Sequence, residues 1–564
     1  MPKATFTFIV ISLFLSLEGL CQNLTLNIQG QTDTQTKSID SLGYTKNHKD
    51  FLSIQQELDT LQRKLGTIGF IENKLEALKR VNDSTFISII SLKHRFDTIY
   101  IYYNKNDIEK SSLNYISEEV FEDYFVLKLS QAENALKFLN TEISKKGFPF
   151  SKLKLTNLST QNASFLRADL TLSINKQQRR IDDIVVRGYE KFPESFIKHY
   201  LKIKPNQIFD LNTIQNKTSQ LNNLNFANEI KKPEVLFSKD STTLYLYLEK
   251  SKSNAFDGFL GFGSNEETNK LQFDGYLNLN LTNNLNFGET FRLFYKSDEN
   301  DQQTFEVNTS LPYLFKSPIG IDLLLRIFRK DSSFTTTNQF AKIHYQINAY
   351  HKVFGGIEAI ESSNLLENTP TLPIEDYTSR FYTMAYEYIQ NQNKNLLFPI
   401  NTKLYIETGF GNRKNENTST KQTQLFCDAF KIFNLNEKNS IYLRANAASL
   451  ISDSYFENEL LRFGGINSIR GFEENSLFAS LYGVLNTEYR YQVSNSIYVH
   501  SIFDAAYFEN QLVDSKQKLF GFGFGFGLLT KAGLFRFNYA NGKTEDVSFN
   551  LSNSKVHLSL TSIF

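Results

Sequence analysis

The residue whose type and setting best fit chemistry is Arg470, within Arg462-Phe-Gly-Gly-Ile-Asn-Ser-Ile-Arg-Gly-Phe-Glu-Glu-Asn475. A guanidinium among glycines rides on a loop that can turn sharply, and its planar fork of donors matches a carboxylate bidentately. Two carboxylates follow in the next two alternating stretches. Leu485–Gln492 puts Leu485, Thr487, Tyr489 and Tyr491 on one face and Asn486, Glu488, Arg490 and Gln492 on the other. Residues 497–508 put Val499, Phe503 and Tyr507 on one side and His500 and Asp504 opposite. The chemistry this predicts is an ion pair: Arg470 clamped by Asp504 with Glu488 as second partner, and Arg490, Arg536 and His500 in the same network. It requires both polar faces to line a lumen into which the loop folds.

No catalytic pattern accompanies the pair. Gly-x-Ser-x-Gly, His-Glu-x-x-His and Gly-x-x-x-x-Gly-Lys-Ser/Thr are absent, so the sequence gives no ground for an enzyme. The histidines at 48, 94, 199, 344, 351, 500 and 557 lack ligand spacing, and neither metal nor cofactor is expected. Glu473-Glu474 reads as loop solvation rather than an acid/base pair. Lys+Arg 61 against Asp+Glu 60 leaves no basic excess to hold nucleic acid.

The elements that must position the arginine are strands. From Ala255 onward helical periodicity disappears: Leu277, Leu279 and Leu281 alternate with Asn278 and Asn280, and Phe305, Val307 and Thr309 with Glu306 and Asn308. Sixteen strand candidates start near residues 256, 270, 287, 302, 318, 334, 347, 376, 397, 419, 438, 480, 495, 518, 532 and 555, with 359–375 the least regular connection. An even number of alternating strands suits a membrane barrel with a watery lumen, although a soluble β-sandwich also alternates. Phe520-Gly-Phe-Gly-Phe-Gly-Phe-Gly527 puts four phenylalanines outward and glycines inward, leaving room for the loop. Val556, Leu558, Leu560 and Phe564 are in phase on the last strand, which must pair with the first, around residues 256–263. Gly258, Gly261 and Gly263 weaken that pairing, so this seam, with Phe564, is the expected place for sideways opening.

Upstream the period mixes. Residues 1–21 read as a secretory signal, with Lys3, an apolar run from Phe6 to Leu17, and Gly19 and Cys21 at the −3 and −1 positions. Lipidation of Cys21 is the rival reading, opposed by the bulk of Leu20. After cleavage Cys427 stands alone, which excludes an intrachain disulfide. Three passes of strand, helices and two strands then follow. The first has a strand at 24–29, a helix through Phe51, Ile54, Leu58, Leu61 and Leu65, and strands at 70–81 and 85–92; the polar stretch 30–41 shows no helical pattern. The second has a strand at 96–103, helices at 117–129 and 131–145, and strands at 152–158 and 165–174. The third has a strand at 181–186, helices at 194–201 and 211–222, and strands at 226–236 and 242–248.

Phe463-Gly-Gly465 with Ser468-Ile-Arg-Gly-Phe472, then Asn486-Thr-Glu-Tyr-Arg-Tyr491, then Phe503-Asp-Ala-Ala506, resembles the inward-folded sixth extracellular loop and following strands of the BamA/TamA-like superfamily of outer-membrane assembly and translocation barrels. The family's Val-Arg-Gly-Phe/Tyr is here Ile469-Arg470-Gly471-Phe472, while its Phe-x-Asp-x-Gly lacks the glycine at Phe503-Asp504-Ala505-Ala506-Tyr507. Pro312-Tyr-Leu-Phe315 resembles a turn motif of the same family. The three repeats resemble its periplasmic POTRA domains. The resemblance implies an all-β transmembrane barrel of about sixteen antiparallel strands, 255–564, with an inward-folded loop at 451–479, preceded by three small α+β POTRA-like domains at 22–94, 95–177 and 178–250. It also implies a bacterial outer-membrane protein that takes unfolded outer-membrane or secreted clients and hands them to the bilayer through the seam, with room for an accessory subunit. Length and repeat number lie closer to TamA. The competing readings are a two-partner-secretion transporter, disfavoured by the missing helix in 30–41, and a passive porin or receptor barrel.

Overall fold

A computed structural model describes residues 23–563 apart from 162–163, 175–176, 265–270, 298–301, 367–372, 393–394, 396, 417, 532 and 546–553. The expected signal, Cys21 and Phe564 lie outside the described residues. The chain divides into two compact units, residues 1–180 with 208–211, and residues 181–207 with 212–564.

The first unit holds two α+β modules. In the first, β1 (Leu24–Gly30) lies parallel to β4 (Thr85–Ser91), in sheet order β2 (Asn47–His48), β1, β4, β3 (Lys74–Arg80). The helix Phe51–Thr67 is capped by Asp50 and buries Ile54, Leu58, Leu61 and Leu65, a stripe at three- and four-residue steps. A second helix, Asp33–Ser41, occupies the stretch read as non-helical. It buries Ile39 alone and starts on the Thr32 cap, so its signal is a cap rather than an apolar stripe.

In the second module the sheet runs β6 (Glu119–Val120), β7 (Tyr124–Lys128), β5 (Thr98–Tyr102), β9 (Phe165–Ser173), β8 (Lys152–Thr160). The helix expected over 117–129 is this β6–β7 hairpin, in which Phe125 and Leu127 are buried at a period of two. The helix Ala132–Lys145 lies where its pattern put it, with Ala135, Leu139 and Ile143 buried.

The second unit opens with β10 (Asp183–Arg187), β11 (Ala227–Phe237) and β12 (Thr242–Lys250), in order β10-β12-β11, with a helix at Leu211–Thr218. The helix expected over 194–201 is a single π-type turn, Phe196–Tyr200. Sixteen strands then close one antiparallel barrel. The first eight are β13 (Ala255–Ser264), β14 (Leu271–Thr282), β15 (Thr290–Ser297), β16 (Gln302–Leu311), β17 (Ile319–Lys330), β18 (Phe334–Gln346), β19 (His351–Asn364) and β20 (Tyr377–Asn391). The others are β21 (Ile400–Lys414), β22 (Ser419–Asn434), β23 (Asn439–Ser452), β26 (Leu481–Gln492), β27 (Ile497–Asn510), β28 (Ser515–Thr530), β29 (Gly533–Thr544) and β30 (Ser554–Ile563). The irregular stretch 359–375 is the end of β19 and its connection to β20.

Alternation sorts the wall. Leu485, Tyr489, Phe503 and Phe524 are exposed on the outside, while Asn486, Glu488, His500 and Asp504 are buried inside. The rim that carries the turns at 283–289 and 312–318 meets the 181–250 module; the opposite, far rim carries residues 453–480, which link β23 to β26.

Candidate functional site

Residues 453–480 turn down into the lumen. Their stem is a short hairpin of β24 (Leu461–Phe463) and β25 (Leu477–Ala479). Left-handed backbone at Gly464 (φ +111°), Gly465 (φ +92°) and Gly471 (φ +91°) bends the descending and returning limbs, a conformation that costs glycine nothing. The flanks of the arginine seat it: Ile469 is fully buried in a cluster with Phe463, Ala506 and Phe508, Phe463 stacks on Tyr482 at 4.6 Å, and Phe472 packs against the same cluster.

At the tip the structure brings Arg470, Asp504 and Glu488 together. Arg470 Nε donates to Asp504 Oδ2 at 2.8 Å and Nη2 to Oδ1 at 2.6 Å, and its backbone N–H donates to Oδ2 at 3.0 Å. Nη1 donates to Glu488 Oε1, while Glu488 Oε2 accepts from Arg490 Nε at 2.7 Å. Asp504 has 0 % and Arg470 5 % of its surface exposed, so each charge is dry and depends on its partner. Two strand glycines admit the loop. A Cβ on Gly521 would stand 2.3 Å from the Arg470 carbonyl oxygen, and one on Gly542 would stand 2.5 Å from that of Gly471. Gly521 belongs to the expected Phe-Gly repeat; Gly542 was not singled out, although a glycine inside a strand signals close backbone approach.

The other expected residues divide. His500 Nε2 lies 2.9 Å from Asn538 Oδ1, beside the cluster. Arg536 lines a lumenal cavity of about 990 Å³ together with Glu488, Arg490 and His500. It does not join the ion-pair network, because among the described residues no carboxylate reaches it. Register explains this: Arg536 pairs with Gly527, six residues nearer the 181–250 module than the Gly521 that faces Asp504. Glu473 and Glu474 are more than solvated loop acids: Lys555 Nζ lies 2.8 Å from Glu473 Oε1 and Lys296 Nζ 3.6 Å from Glu474 Oε2.

A second buried arginine holds the same loop at the far rim. Arg413 pairs with Glu459, donates to the Ser454 hydroxyl at 2.7 Å and lies 3.9 Å over the Phe456 ring. Glu459 also accepts from Gln422 at 2.9 Å, and neighbouring Asn458 donates to Ser362 at 2.9 Å. Nothing in the sequence points to this anchor, since its partners lie far apart in the chain and neither belongs to a motif.

At the near rim the ring of Phe196 meets Tyr313 edge-on at 4.8 Å, and Gly288 (φ +77°) leaves only 2.2 Å between a Cβ and that ring. Tyr189 donates to Asn286 at 2.7 Å, and His199 Nε2 lies 2.8 Å from the Lys316 carbonyl. Burial pushes the Tyr200 phenol above its usual pKa, so it packs here as a neutral ring. Tyr313, of the Pro-Tyr-Leu-Phe turn, takes φ +56° to present its ring.

The seam closes differently from the rest of the wall. Among the described residues β13 pairs with β30 only at Ala255–Ile563 and Phe256–Ser562, whereas β29 pairs with β30 from Asn541–Ser554 to Leu534–Thr561. Gly258, Gly261 and Gly263 all lie in β13 beyond the two seam pairs, paired to β14 on their other side.

The architecture is a closed sixteen-strand antiparallel barrel with an ion-paired loop in its lumen and α+β modules ahead of it. Residues 179–249 match the POTRA family, described as surface antigen variable number repeat. CdiB from Acinetobacter baumannii is similar at 13% identity and a TM-score of 0.52, over 91% of this chain and 98% of that one. CdiB from Escherichia coli is similar at 13% identity and a TM-score of 0.51, over 90% and 97%. BamA from Haemophilus ducreyi lacking POTRA domains 1–3 aligns at 12% identity over 82% and 99%, with a TM-score of 0.49, and the fold assignment does not rest on it. No curated protein matches the sequence. The chain therefore combines a POTRA-family segment at 179–249 with a barrel fold similar to that of the two CdiB proteins.

Proposed function

We propose that this chain is an outer-membrane assembly or translocation factor. The observation that carries the reading is the seam, joined at two residue pairs among the described residues, beside a loop locked onto the nearby strands β26 and β27 by a buried arginine. In this reading residues 22–94, 95–177 and 178–250 are three POTRA-like modules in the periplasm. Their exposed strand edges take an unfolded outer-membrane or secreted client without reading its sequence. β13 and β30 then part, and the client's strand pairs with the freed edge. Backbone hydrogen bonds are thereby exchanged rather than left unmade in lipid. Arg470 keeps the loop in the lumen and stiffens the wall at β26 and β27, on the β30 side of the seam. No cofactor, metal or catalytic group enters the reaction.

The test uses the full chain in liposomes with an unfolded, labelled outer-membrane barrel as client. The reading expects the client to become protease-protected in the bilayer faster than in empty liposomes. Equal rates, together with a large and steady conductance that ignores deletion of residues 23–250, overturn it in favour of a passive pore. Against the two-partner-secretion reading stand three expected modules where such a transporter usually has two, and an expected lack of helix over 30–41. A helix is present there, at Asp33–Ser41, but Ile39 seats it in the core of the first module, so it is not a free plug helix. Assembly of several unrelated clients, rather than export of one, separates the two.

A further inference from the structure

The acidic pair after the arginine motif reaches both sides of the seam. Glu473 pairs with Lys555 on the last strand, β30, and Glu474 with Lys296 on the third strand, β15. The hairpin glycines are shaped around these acids: a Cβ on Gly465 would stand 2.3 Å from Glu474 Oε2, and one on Gly464 would stand 2.6 Å from the Glu473 carbonyl oxygen. Both lysines lie in the half of the wall near the far rim. The two ladder pairs of the seam, Ala255–Ile563 and Phe256–Ser562, lie at the other end. Where backbone pairing stops, the loop tip therefore supplies a tie.

We propose that Glu473-Glu474 is an electrostatic strap across the unpaired half of the seam, holding β30 and the β13–β15 edge together until a client strand competes. This rests on the proposed role of the seam as the exit. The contrast in burial argues for a strap that releases. Arg470 and Asp504 side chains are 6 % and 0 % exposed, whereas Glu473 and Lys555 are 51 % and 39 % exposed and Glu474 and Lys296 25 % and 29 %. Water and salt screen the second set far more than the first. When the edge strands part, the strap lets go of a lysine while the arginine keeps the loop in place.

The experiment places spin labels on cysteines at Leu277, the β14 partner of Gly258, and at Leu560 of the full chain, in a Cys427→Ser background, and reads their distance distribution in lipid. Glu473→Gln with Glu474→Gln is expected to raise the long-distance population about two- to fivefold at low salt, the range for exposed ion pairs. Salt of about 1 M should do the same to the unsubstituted strap. Exchanging the charges, Glu473→Lys with Lys555→Glu, should restore the short distance. Hydrogen exchange at residues 467–472 should stay slow throughout, showing that the loop itself has not left. An unchanged distribution in the double variant, or no restoration by the exchange, overturns the strap. The exit reading fails separately: if a disulfide joining Phe256→Cys to Ser562→Cys leaves client assembly intact, the seam is no gate, whatever the labels report.

Discussion

Replacing Arg470 by alanine removes the one cation that, among the described residues, touches Asp504, while Glu488 keeps Arg490. Asp504 is 0 % exposed and, among the described residues, retains only the backbone N–H of residue 470, at 3.0 Å. Breaking a buried pair by deleting one partner costs about 3–5 kcal/mol, chiefly because the other charge is stranded. The docked loop should therefore lose roughly two to four orders of magnitude in its docking equilibrium. Amide exchange at Asn467–Phe472 reads this directly, since those amides exchange when the loop lifts. Arg470→Met with Asp504→Leu distinguishes stranded charge from lost shape: it removes both charges and should recover most of the protection. Unchanged exchange in Arg470→Ala, or a double variant as loose as the single one, refutes the reasoning.

Arg413→Ala should free the far-rim limb by about 3 kcal/mol, at the low end because Glu459 keeps Gln422, and exchange should rise at 454–460 while 467–472 stay protected. Gly521→Val should expel the loop, because its Cβ would meet the Arg470 carbonyl at 2.3 Å, whereas Gly483→Ala, with nothing within 4 Å, should be silent in the same assay. Phe196→Ala should cost about 3–5 kcal/mol at the near rim, seen as faster exchange at 283–288 with the rest of the barrel unaffected.

The barrel was legible because its period of two repeats across one continuous wall: all sixteen expected starts fall within four residues of an observed strand. Arg470, Asp504 and Glu488 were legible because loop and strands are consecutive, so inward-facing residues of β26 and β27 had to meet beneath the loop. Other features depend on contacts no local pattern encodes. The helix at Asp33–Ser41 buries one residue, and the β6–β7 hairpin alternates over too few positions to outweigh a helical reading. Arg413–Glu459 and Glu473–Lys555 join residues that the infolding of the 453–480 loop brings together. Arg536 was assigned to the right face but not the right height, because facing follows from alternation and height only from register.

The most direct measurement of the central claim is client assembly by the full chain with Phe256→Cys and Ser562→Cys, in a Cys427→Ser background, in liposomes. These positions face each other across the seam in one of its two ladder pairs. Oxidation should halt assembly of an unfolded barrel client and reduction should restore it, with Arg470 and the rest of the lumen untouched. Assembly at the same rate with the disulfide formed would contradict the account.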